Sequence, residues 1–115
     1  MLAHGAVLRK NFFNAQELIA IVNDFQHAGL SDEEVAIMSF AQKVTSEPGS
    51  INSADIDVLR RFGLGDAEIL DIVLASTARN FFSKTLDALS VEPDEVYREM
   101  EPELLTALAL GRPFP

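Results

Sequence analysis

The chain has 115 residues, a size for one domain, and is 48% hydrophobic and 23% charged, enough apolar material to exclude wholesale disorder. Its net charge of -9 sets aside phosphate backbones and anionic membrane surfaces as partners, since both repel an acidic chain. Without a cysteine it has no disulfide, no thiolate nucleophile and no Cys-ligated metal.

The apolar period is helical almost throughout, and no alternating run beside an Asn-Gly or Asp-Gly turn predicts a hairpin. The expected fold is therefore an all-α bundle of about five or six helices in a single domain, residues 1–115, with short loops. Residues 1–10 read as the end of a helix with Arg9 and Lys10 in its last turn. Asn14 is an N-cap candidate with Glu17 at the third helical position. Leu18, Ile21, Val22 and Phe25 then make one apolar face, and Gly29-Leu30 is read as a Schellman end. Ser31 and Glu34 form a capping box, and acidic residues fill the first turn. Val35, Met38, Phe40, Ala41 and Val44 are its predicted inner side, and Pro48-Gly49 ends it.

Asn52 or Ser53 caps the next helix, with Ile56, Leu59 and Phe62 expected inside and Gly63-Leu64 as its stop. Residues 66–89 are the longest helical stretch, apolar around most of the circumference from Ile69 to Leu89. Such a helix is central or faces an oligomer partner. Pro93 is expected to open a short helix to Met100, and Pro102 a second one to Leu110. The tail Gly111-Arg112-Pro113-Phe114-Pro115 cannot be regular helix. Gly29-Leu30-Ser31-Asp32 is echoed by Gly63-Leu64-Gly65-Asp66. A tandem repeat is one explanation. The better one is two joints sharing the same stop-and-cap chemistry, because the flanks do not match.

No apolar run approaches the ~20 residues of a membrane span, and residues 1–7 lack the basic start of a secretory signal. The default address is cytoplasmic. A zinc site would have to lean on carboxylates beside His4 or His27, and there is no His-x-x-x-His pair. His27, near a helix end, is expected to contact the C-terminal dipole. Tyr97 reads as a packing anchor with its hydroxyl in water. Ser76 and Thr77 have no base beside them to make a nucleophile.

Three segments together resemble a known family. Ala3-His4-Gly5-Ala6 precedes Leu8-Arg9. Phe40-Ala41-x-Lys43-Val44-Thr45 leads through Pro48, Ile51, Asp55 and Leu59-Arg60 to Gly63-Leu64-x-Asp66-x-Glu68-Ile69. Asn80-Phe81 with Ser83-Lys84 precedes Asp87-Ala88-Leu89-x-Val91. In order and spacing these resemble the peroxidase-related branch of the AhpD-like / carboxymuconolactone decarboxylase family over roughly residues 3–91. In the third segment Ser83, Lys84 and Ser90 stand where the family pattern has Asn, Arg and Gly.

The resemblance implies an antioxidant oxidoreductase that reduces hydroperoxides without a cofactor, assembled as trimers or dimers of trimers. His4 matches the histidine of the family's Cys-x-x-Cys-x-x-x-His motif, where it would act as proton relay. Asn80, Phe81 and Lys84 fall on the later signature, as pocket or structural residues. In this spacing both cysteines would lie before Met1, so the expected start of the chain falls just after the chemistry. A thiolate must attack the O–O bond and a second thiol must resolve the sulfenic acid, so the chain as it stands is expected to be inactive as a thiol peroxidase. Two other readings are a cysteine-free oligomeric scaffold and a decarboxylase-like enzyme whose substrate carboxylates would be held by Arg9, Lys10, Arg79 or Lys84. Solvated helix ends are the plainer account of those cations.

Overall fold

The structure, a computed structural model, describes residues 1–110. The described residues form six α-helices joined by short 3-10 turns, with no strand. The tail 111–115, read above as non-helical, lies outside the described residues. The chain divides into two compact units, Met1–Leu30 with the segment from Glu92 onward, and Ser31–Val91.

In the first unit, α1 (Leu2–Asn11) starts without a side-chain cap. Helix α2 (Ala15–Asp24) is capped as expected, Asn14 Oδ1 accepting from the Glu17 amide at 2.8 Å. The later helix α6 (Pro102–Leu108) opens on proline, whose missing N–H costs nothing at that position. Its core is Ala15, Leu18, Leu104 and Leu108, with Leu2, Leu8, Phe13 and Met100 packed around it. Helix α1 reaches this core through Gly5, the one buried residue it contributes. A Cβ built on Gly5 would lie 2.4 Å from Leu108 Cδ1, so the glycine sets how closely α1 approaches α6.

Three expectations for this unit need correction. Helix α2 stops at Asp24 instead of running to a Schellman end at Gly29. The Asp24 carboxylate accepts from the Gln26 amide at 3.2 Å and so starts a 3-10 turn, Phe25–His27. This is the usual competition of an aspartate side chain with helical hydrogen bonding. The segment after Pro93 is a 3-10 helix, Glu95–Glu99. It cannot run into α6 because Glu101 precedes Pro102 and is held at ψ 131°, as pre-proline sterics require. Helix α6 ends at Leu108, two residues short of Leu110.

In the second unit, α3 (Asp32–Ser46) begins with both halves of the expected capping box, Glu34 N to Ser31 Oγ and Ser31 N to Glu34 Oε2. A 3-10 turn, Pro48–Ser50, leads to α4 (Ser53–Arg61), where Asn52 is the cap. Gly63, at φ 89°, donates to Arg60 O, and Leu64 N donates to Leu59 O. These are the two bonds of a Schellman motif. Helix α5 (Asp66–Ala88) has 23 residues, and Glu68 accepts from the Gly65 amide at its start.

The core of this unit is Phe40, Val44, Leu59 and Ile69, with Ile37, Ile56, Leu64, Ile72 and Val73 around it. Only one face of α5 takes part. Leu70, Leu74, Phe81, Phe82 and Leu89 are more than half exposed. Within its own unit α5 is thus not a central helix. Phe62, expected inside, is the C-cap residue of α4 and is 40% exposed. No helix among the described residues is long and apolar enough to cross a membrane.

Candidate functional site

The predicted site residues divide between the units. His4 lies in the first turns of α1 and is exposed. Asn80, Phe81 and Lys84 lie in the C-terminal half of α5.

Around α1, the guanidinium of Arg9 meets the carboxylate of Glu101, Nε donating to Oε1 at 2.8 Å and Nη2 to the same oxygen. This pair ties α1 to the N-cap of α6. The Arg9 guanidinium, with help from the Glu101 amide, holds the Glu101 carboxyl below the usual carboxylate range. Beside the pair runs an open groove of about 680 Å³, lined by Ala6, Arg9, Lys10, Val96, Tyr97, Glu99, Met100, Glu101 and Pro102. Its cations, Arg9 and Lys10, are matched by two carboxylates, Glu99 and Glu101, so no net positive field remains to hold an anionic substrate. Tyr97 is half-buried on the groove wall, in keeping with a packing anchor. Sequence reasoning missed Glu101. The only local signal was an acid placed before a helix-opening proline, and its partner lies 92 residues away.

In the second unit, Asn80 is a clamp between helices. Its Nδ2 donates to Thr45 Oγ1 of α3 and to Ser76 O of α5, both at 3.0 Å. This is the structural use of a half-buried amide that burial demands. Phe81, next to it, is 75% exposed, and Lys84 is exposed. Of the four cations of the decarboxylase reading, the two on α5, Arg79 and Lys84, do not converge. Arg79 Nη2 donates to Ser83 Oγ at 3.1 Å, and Lys84 follows five residues later, about 140° around the helix.

Lys43 and Asp55, both within the family-like stretch, form a second clamp. Lys43 Nζ donates to both Asp55 carboxylate oxygens, at 3.0 and 2.8 Å. Asp55 Oδ2 also accepts from the Asn52 amide at 3.0 Å, so one carboxylate closes the α4 cap and joins α4 to α3. The Lys43 ammonium, and then the Asn52 amide, lower the Asp55 pKa. His27 Nδ1 lies 2.7 Å from Asp24 Oδ2, so its partner is this carboxylate and not the helix-end carbonyls expected for it. Ser76 and Thr77 hydroxyls both donate back to α5 carbonyls, as does Thr85. Among the described residues no group of three His, Asp or Glu side chains is arranged to hold a metal ion, and no polar or charged residue is fully buried. No protein-family model, curated protein or solved structure matches the chain.

Proposed function

We propose that this chain is a non-catalytic helical assembly domain of the AhpD-like kind its motifs resemble, working as a homo-oligomer and not as a peroxide-reducing enzyme. The observation that carries the reading is α5, which spends one apolar face on its own core and leaves a second apolar face in water. Monomeric proteins rarely leave so large a patch uncovered.

The chemistry points the same way. Hydroperoxide reduction consumes a thiolate, and the chain has no cysteine. A histidine in the position of His4 can pass a proton but cannot accept the peroxide oxygen. Asn80 is committed to Thr45 and Ser76. Arg9, the first cation of the decarboxylase reading, is committed to Glu101.

Two measurements on the purified chain test the reading. Light scattering should give a mass of at least twice 12.6 kDa. Hydroperoxide consumption with a dithiol donor should match the protein-free rate. Thiol-dependent turnover by this chain, or a monomer at millimolar concentration, would overturn it.

A further inference from the structure

Resting on that reading, we infer that the partner is a second copy of this chain, bound across a twofold axis through antiparallel contact of the two α5 helices centred at Ala78. The surface is the outer side of α5. Leu70 is 55% exposed, Leu74 54%, Phe81 75%, Phe82 56%, Leu86 36% and the C-cap Leu89 71%. At 100° per residue these fall on one side of the helix, opposite Ile69, Ile72 and Val73, which face the core with Phe40 and Leu59.

Area favours a second copy over an incidental patch. With roughly 200 Å² per large side chain, the six exposures amount to roughly 700 Å². A standard interface takes about 800 Å² from each partner. The small exposed residues between them, Ala67, Ala75 and Ala78, make up the difference.

Shape and charge select the antiparallel register. With the twofold at Ala78, residue i of one helix lies across from residue 156 − i of the other, a rule that follows from Ala78 facing itself. Phe81 then lies level with the partner's Ala75, Phe82 with the partner's Leu74, Leu86 with the partner's Leu70, and Leu89 with the partner's Ala67. Two of the four pairs set a large side chain level with an alanine, and a third sets two leucines level. Ala78 against its own copy lets the axes approach to the ~8 Å lower end of helix packing. The N-terminal half of α5 carries Asp66, Glu68 and Asp71, and the C-terminal half carries Arg79, Lys84 and Asp87. Antiparallel pairing lays the acidic half over the half that holds both cations of the helix. Parallel pairing would stack acid on acid, with the two helix dipoles aligned.

The absence of native cysteine makes the register directly readable. Ala78→Cys should give a disulfide-linked dimer within minutes of mild oxidation, because the two Cα atoms fall inside the ~7 Å limit for a bridge. Ala67→Cys should give none, since its own copy lies ~33 Å away across the twofold. Phe81→Asp should raise the dissociation constant by about 30-fold or more, with helical circular dichroism unchanged because Phe81 takes no part in the core. A trimer, a Phe81→Asp chain that associates like the parent, or cross-linking at Ala67 instead of Ala78 would each overturn this pairing while leaving self-association itself standing. A monomer at all concentrations would overturn the functional reading as well.

Discussion

Ser90 ends α5 with φ 55°, in the left-handed region that side chains with a Cβ avoid. Its amide donates to Asp87 O and that of Val91 to Leu86 O, the same pair of bonds that Gly63 and Leu64 make at the end of α4. One joint uses glycine and the other pays the strain of a serine. Ser90→Gly should therefore stabilise the protein by roughly 1 kcal/mol, and Gly63→Ser should destabilise it by a similar amount. Urea midpoints of the two variants check both signs. This site was legible in the chain, because Ser90 stands where the resembled pattern has glycine. The clamps were not: Asn80 to Thr45 and Arg9 to Glu101 join residues 35 and 92 positions apart, and no local pattern of sequence encodes such a partner.

At the scale of elements, α1 is held by contact and not by intrinsic preference. It has no side-chain cap and no acid in its first turn. Gly5 lets it lie on Leu108, which is 3% exposed. Gly5→Ala would gain about 1 kcal/mol of helix propensity but would drive a methyl into a packed leucine, at a cost of roughly 1–3 kcal/mol. The net change should be destabilising. Leu108→Ala alone should cost about 2–5 kcal/mol. The double variant should be more stable than the sum of the two, because each change makes room for the other. A thermal-melt double-mutant cycle reads this, and strict additivity would show that Gly5 does not set the approach.

Helix starts were the most legible elements, at Asn14, Ser31 and Asn52, because a cap and its target amide lie within three residues. The early stop at Asp24 was harder to see, since it depends on which of two local hydrogen bonds that carboxylate takes. For α5 the sequence established that apolar residues surround the helix, but periodicity cannot say which side a monomer buries. That choice is made by α3, which packs against the Ile69, Ile72 and Val73 side.

For the molecule as a whole, each unit carries one ion pair between helices whose carboxylate is held below its ordinary pKa, Glu101 by Arg9 and Asp55 by Lys43. A depressed folded-state pKa means that the unfolded chain binds the proton first as pH falls. The stability from these pairs is therefore complete above about pH 4–5 and is lost as pH drops through the folded-state values. The urea midpoint should fall steadily from pH 5 to pH 3. Asp55→Asn should start lower at pH 7 and show a shallower fall, since the titrating group is gone. An unchanged slope would remove Asp55 from the acid response.

The two units differ in how their residues are drawn from the chain. The second is one continuous stretch, Ser31–Val91, while the first joins a segment from each side of it. Leu18 therefore reaches Leu104 only after a loop of about 85 residues has closed, and loop closure is an entropic cost met before the contact rewards it. Folding of Ser31–Val91 first leaves fewer flexible residues in that loop, so order in the middle of the chain lowers the search for its ends. Pulsed hydrogen exchange during refolding should protect the amides of α3 and α5 before those of α2 and α6.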